Sequence, residues 1–226
     1  MRKKLQADVN RGKIMRKLVN GYVWMLVGAL YVPVAVKCVT MWDGGRGAAD
    51  IGAHLPGFIM LPLLVTAAAV LANWLQDKIL VDPEGVSQLR RVLMLTIALF
   101  LYIRCVTLAI PFRPESLRLL STLIFCGIGV FFVLLGLLMP KLKRNRVAGV
   151  RYTWTLTDPD VWRDSNRVGG RYTVAMGVLL LVSTFIPQRR EMIFSTFEIW
   201  AFIVYVVALT LHSRLIALRK HPPQQM

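Results

Sequence analysis

The chain has 226 residues, of which 56% are hydrophobic and only 18% charged, with a net charge of +16 and a mean hydropathy of +0.55. A soluble domain carries about 25% charged residues, and apolar runs of about twenty residues, enough to cross a hydrocarbon core of about 30 Å, recur along this one. The balance excludes a soluble domain of any size and predicts an all-α, polytopic membrane protein.

The first residues, 1 to 17, form a basic tail without a signal-peptide cleavage pattern, and we expect it to be retained on the cytoplasmic side. Six transmembrane helices are then expected near Leu18–Met41, Leu55–Leu75, Val92–Phe112, Leu117–Met139, Tyr172–Pro187 and Ile193–Leu211. Pro33 and Pro62 fall inside the first two and should kink them, because each removes a backbone donor. The fifth is short, so flanking residues such as Arg171 would have to snorkel.

Orientation follows from the 28 Lys and Arg residues. Arg46, Arg113, Arg118, Arg189 and Arg190 would lie in outer loops, Lys37 and Arg104 lie inside spans, and all the others fall on segments that are cytoplasmic if the N-terminus is inside. The asymmetry predicts that both termini are cytoplasmic. It also explains the basic charge through the anionic inner leaflet, without any direct nucleic-acid partner. The domain reading is therefore a tail at 1–17, spans one to four over 18–139, a cytoplasmic loop at 140–171, spans five and six over 172–213 and a cytoplasmic tail at 214–226. Cys38, Cys105 and Cys126 lie singly inside spans and read as small packing residues.

The 140–171 loop holds the densest chemistry. Lys141, Lys143, Arg144 and Arg146 lead into Arg151-Tyr152-Thr153-Trp154-Thr155-Leu156. Thr157-Asp158-Pro159-Asp160 then reads as a helix start, with Thr157 as the cap. Val161, Ser165 and Val168 recur on one side of that helix, while Asp160–Arg163 and Asp164–Arg167 charge pairs occupy the other. The expectation is an interfacial amphipathic helix between spans four and five, ending at Gly169-Gly170. Trp154, Trp162, Tyr152 and Tyr172 would sit at headgroup level. Capping and pairing account for the carboxylates without a metal, and no cofactor is expected.

Met139-Pro140-Lys141-Leu142-Lys143-Arg144-Asn145, Gly149-Val150-Arg151, Trp154-Thr155-Leu156, Val161-Trp162 and the step from Arg167 to Gly170 together resemble the SdpI (Sdp immunity protein) family. The match covers about thirty residues. Ser165 and Asn166 stand where that family commonly has Thr-His, and Leu137 where an Asn often precedes the proline. The front half resembles the family loosely, through Phe58-Ile59-Met60-Leu61-Pro62. The resemblance implies a bacterial inner-membrane immunity protein against a secreted, membrane-active peptide toxin, with signalling to a cytoplasmic transcriptional regulator in some members. It implies motif residues Asn145, Gly149, Arg151, Trp154, Thr155, Trp162, Asn166 and Arg167.

Lys37, Arg104 and Glu198 are ionisable groups inside spans, all in the outer half, and such groups need partners. Arg104 and Glu198 could pair across spans three and six, or line a polar cavity. No nucleophile elbow, zinc-protease motif or phosphate loop is present, so the chain is expected not to be an enzyme. The rival reading is a small-solute, lipid or peptide transporter that uses Arg104 and Glu198.

Overall fold

The computed structural model describes residues 20–43, 48–75, 79, 85–110, 114–185 and 191–221. The basic tail at 1–17, the prolines at 111 and 187 and the last five residues lie outside them. Among the described residues every long element is helical: α1 (Gly21–Ala29), α2 (Val32–Asp43), α3 (Ala48–Trp74), α4 (Val86–Ala109), α5 (Pro114–Leu138), α6 (Thr153–Thr157), α7 (Pro159–Phe185) and α8 (Glu191–Lys220). Among the described residues, five stretches are long and apolar enough to cross a membrane: Gly21–Met41, Val86–Ala109, Arg118–Lys141, Pro159–Phe185 and Phe197–Lys220. Phe58–Trp74 is a shorter apolar stretch within α3. The chain is a multi-pass membrane protein.

It divides into two compact units, residues 1–104 and 105–226. In the first, the two interior prolines have different consequences. Pro33 interrupts the first span, which breaks at Leu30–Tyr31, where Leu30 N and Tyr31 N turn to the i−3 carbonyls of Val27 (3.2 Å) and Gly28 (3.0 Å). Pro62 leaves α3 continuous. Its missing N–H nonetheless orphans the carbonyl four residues back, at Phe58. Arg104 Nη2 donates to that oxygen, and the guanidinium lies 5.6 Å from the Phe58 ring centroid. A half-buried acceptor and a half-buried cation thus meet. The Tyr31 hydroxyl lies 2.9 Å from Thr66 Oγ1, which itself donates back to Pro62 O at 2.8 Å.

The second unit is built around α7. Apolar side chains gain little by leaving lipid, so helices in a bilayer associate through close packing and hydrogen bonds. On one side α7 meets α5 at two reciprocal glycine pairs spaced by seven residues. A Cβ on Gly136 would sit 2.6 Å from Gly170 O, and one on Gly170 would sit 2.6 Å from Gly136 O. Gly129 and Gly177 repeat the arrangement, at 3.1 and 2.7 Å from each other's carbonyl oxygen. On its other side α7 meets α8 through polar side chains.

The separate interfacial helix ending at Gly169-Gly170 is not what forms. The amphipathic stretch and the fifth span are one helix of 27 residues, about 40 Å long at 1.5 Å per residue. The two glycines do not stop it, because their role is close approach: a Cβ on Gly169 would lie 2.7 Å from Val150 Cγ2 and 3.0 Å from Met139 Cε. The expected shortage of length in span five disappears, since the helix exceeds the hydrocarbon thickness.

Candidate functional site: the loop between α5 and α7

A 3₁₀ turn at Met139–Lys141, with Pro140 inside it, ends α5 and turns the chain toward the start of α7. Asn145 then closes a compact loop. Its Oδ1 accepts from Val147 N and Ala148 N, both at 2.8 Å, and its Nδ2 donates to Lys143 O at 2.9 Å. Gly149 follows at φ +106°, a conformation that side chains rarely adopt. A Cβ there would also meet Asn166 Oδ1 at 2.3 Å.

Asn166 links this loop to α7. Its Oδ1 accepts from Val150 N at 3.0 Å, and its Nδ2 donates to Trp162 O at 2.9 Å. Thr155, fully buried, donates to Val150 O at 2.7 Å and accepts from Tyr152 N at 2.9 Å. Trp162 is 3% exposed, and its indole N–H donates to Leu142 O at 2.8 Å. Buried backbone groups in an irregular loop need such partners. Asn145, Gly149, Thr155, Trp162 and Asn166 therefore form one interior knot.

Two expectations change here. Trp162 is not a headgroup anchor, because its ring closes the interior beneath the loop. The cap of α7 is Asp158, not Thr157: Asp158 Oδ1 accepts from Asp160 N (2.6 Å) and Val161 N (3.1 Å), while Thr157 Oγ1 donates back to Trp154 O. Pro159 takes the first helical position, where its lack of a donor costs nothing.

The remaining motif residues face outward. Arg151 is exposed and donates to Arg146 O at 2.9 Å, and Arg167 is exposed on α7. Trp154 is half-buried against α8. It stacks on Tyr152 at 4.7 Å with 12° between planes, its N–H donates to Ser213 Oγ (3.4 Å), and the Arg214 guanidinium lies 5.1 Å from its ring centroid. Arg144 Nη1 donates to Thr157 O at 3.2 Å and Leu156 O at 3.4 Å, which holds the end of α6.

A histidine–carboxylate hydrogen bond and an ion pair tie the end of α8 to the start of α7. His221 Nε2 lies 2.5 Å from Asp158 Oδ2, and Lys220 Nζ lies 2.6 Å from Asp164 Oδ2. The His221 hydrogen bond holds the Asp158 carboxyl below its ordinary value of 3.8, with backbone donors Val161 and Asp160 helping and desolvation opposing. Between these elements opens a groove of about 560 Å³, lined by Trp154, Pro159, Arg214, Ala217, Leu218 and His221 among others. Sequence reading did not mark Arg214 or His221 as part of a site. Their seven-residue separation, with Arg214 on α8 and His221 just past its basic C-terminal end, was the available signal.

Residues 141–216 match the model of the SdpI/YfhL protein family. The likeness to that family lies in this region of the chain. That region spans the interior knot, all of α7 and most of α8. Over 156 residues the chain is 24% identical to the protein named Immunity protein SdpI of Bacillus subtilis (strain 168), covering 69% of this chain and 73% of that relative. No solved structure matches.

Of the charged residues inside spans, Lys37 is half-buried on α2, and Arg104 lies with Phe58 as described above. Glu198 lies on α8 with the Ser183 hydroxyl of α7 as a hydrogen-bond partner, and its Oε1 is buried without one. Arg104 belongs to the first unit and Glu198 to the second. Among the described residues no group of His, Cys, Asp and Glu has metal-site geometry.

Proposed function

We propose that this chain is a six-span protein of the bacterial cytoplasmic membrane, with both termini inside, that protects its cell against a secreted membrane-active peptide. The sixth span is α3, whose 27 residues are long enough to cross. The orientation rests on the distribution of Lys and Arg. The protein acts by binding rather than catalysis. Its working surface is the cytoplasmic loop: Arg151, Trp154 and Arg167 meet lipid phosphate or an acidic cytoplasmic regulator, and the interior knot holds them in place.

One observation carries this reading. The region matching the SdpI family coincides with a hydrogen-bonded loop whose motif residues divide into a buried frame and an exposed rim.

The test is survival of a sensitive bacterium that expresses the chain and is challenged with a panel of membrane-active peptides, at matched membrane abundance. Protection is expected from the natural sequence, and its loss from Arg151→Ala. Protection that survives Arg151→Ala but disappears with Glu198→Gln would overturn the reading and move the working site into the membrane. No protection against any peptide would leave the SdpI likeness as a statement about fold.

A further inference from the structure

The groove between Trp154 and the end of α8 has a charge arrangement that the proposed function does not use. Arg214 is exposed and makes no ion pair with a carboxylate among the described residues. Its guanidinium is held against the Trp154 ring, and Trp154 is itself fixed by Tyr152 and Ser213. The groove's one lining carboxylate, Asp158, is already engaged: Oδ1 caps α7 and Oδ2 pairs with His221. The uncompensated charge in the groove is therefore positive and planar, a fork that suits phosphate oxygens.

Below the groove, toward the membrane, α8 carries a strip of one chemical kind. Val204, Val207, Leu211 and Leu215 follow at helical spacing on one face and are 50% to 63% exposed. Leu218, at the top of the same strip, lines the groove. From Arg214 to Val204 is about 15 Å along the helix axis. That is about half of a 30 Å hydrocarbon core, the depth of one leaflet. A cationic, aromatic-backed groove joined to an apolar strip one leaflet deep has the dimensions of a phospholipid.

We propose that the Arg214–Trp154 groove holds the phosphate headgroup of an anionic phospholipid, with an acyl chain lying along Val204, Val207, Leu211 and Leu215. A free phosphate would use Arg214 and leave the strip uncovered. An acidic peptide would fill the groove and also leave the strip uncovered. The site does not depend on the immunity reading. Only its assignment to the cytoplasmic leaflet rests on the orientation proposed above.

The experiment uses the full chain purified in detergent and titrated with phosphatidylglycerol or phosphatidylcholine, with bound lipid per chain read by native mass spectrometry. One phosphatidylglycerol is expected to be retained, about fivefold more tightly than phosphatidylcholine. Arg214→Gln should erase that preference, and Arg214→Lys should keep part of it, because it retains the charge but loses the planar fork. Leu211→Ser should weaken both lipids together. Arg146→Gln, which removes a basic side chain on the loop away from the groove, should change nothing. Equal retention of the two lipids, or equal loss in Arg146→Gln and Arg214→Gln, would overturn the proposal in favour of diffuse surface charge. Displacement by millimolar inorganic phosphate would overturn it in favour of a simple anion site, and displacement by polyglutamate in favour of an acidic peptide. Should Arg214→Gln fail to fold, Arg214→Lys with Leu211→Ser still decides the matter.

Discussion

The two sides of α7 answer the same physical question in opposite ways. Against α5 it relies on glycine pairs, so that backbones touch, with a long Cys126 Sγ to Thr184 Oγ1 hydrogen bond (3.5 Å) beside them. Against α8 the ties are hydrogen bonds: α7 itself gives Tyr172 to His212 Nδ1 at 3.0 Å and Thr173 to Tyr205 at 2.9 Å, and the segment just before it adds Trp154 to Ser213 at 3.4 Å and Tyr152 to Thr210. A glycine seam is intolerant, because its contacts are with backbone atoms that cannot swing aside. A hydrogen-bonded seam is adjustable, since each hydroxyl can exchange one partner for another at modest cost. The contrast identifies α5, α7 and the interior knot as the frame, and α8 as the element best able to shift against it.

The largest effect that tests this contrast is expected at Gly136. In Gly136→Leu a side chain must enter where Gly170 O lies 2.6 Å and Val174 N 2.7 Å from the first carbon alone. The helices must separate along the whole seam, at a cost of about 3 kcal/mol or more. Thermal unfolding in detergent should show a marked drop, or no folded protein should accumulate. If Gly136→Leu melts no lower than a variant of the α8 seam, the two seams are not different in kind.

Next comes the knot. Gly149→Ala meets both an unfavourable φ of +106° and Asn166 Oδ1, and should cost about 1 to 3 kcal/mol. Asn166→Ala strands the buried Val150 N–H, which costs about 1 to 3 kcal/mol as well. The two should not add: once Asn166 is shortened, the methyl introduced by Gly149→Ala loses its worst contact and only the backbone strain remains. A double-mutant cycle by denaturant unfolding measures this directly, and strict additivity would show that Gly149 and Asn166 do not share a contact.

How far the sequence revealed these features depended on the range of the interactions. Span existence was legible because twenty apolar residues in a row need no knowledge of neighbours, but the bounds were not: Val86–Ala109 and Phe197–Lys220 overlap the expected Val92–Phe112 and Ile193–Leu211 and are displaced from them at both ends. The likeness of Met139 to Gly170 to the SdpI family was legible from motif spacing. The roles inside that motif were not. Trp162 reads as an interfacial anchor by type and becomes interior only because Leu142 O, twenty residues earlier, lies within reach of its indole. Gly169-Gly170 reads as a helix stop by local rule, yet Gly136, Met139 and Val150 on other elements make it a packing site. Arg104 was marked as needing a partner. The clue to one partner was Pro62, which orphans Phe58 O four residues earlier, but pairing that acceptor with an arginine 46 residues away takes the fold.

The α8 seam should give smaller numbers. Tyr205→Phe removes the bond to Thr173 Oγ1, while Thr173 keeps Gly169 O as an acceptor at 2.8 Å, so no buried group is stranded. Side-chain hydrogen bonds between helices in membrane proteins average about 0.6 kcal/mol, and that is the expected loss in unfolding free energy. A loss as large as that of Gly149→Ala would mean that this seam is part of the frame and not adjustable.

The smallest effect is expected where α8 reaches the start of α7. The Asp158 carboxyl is held below 3.8, chiefly by the His221 hydrogen bond, so its folded-state value is depressed relative to the unfolded chain. A depressed acid contributes stability that is fully present well above its unfolded value and is lost as pH falls through the folded one. Stability should therefore be level above about pH 5 and decline only as the medium falls below about 4. Asp158→Asn should flatten that decline. It keeps an oxygen to cap Asp160 N and Val161 N, so helix α7 should remain intact while the tie to His221 weakens. Both partners of that pair are partly open to solvent, so raised salt should reduce the difference between the natural sequence and Asp158→Asn. An acid decline that persists unchanged in Asp158→Asn would place its cause in other carboxylates.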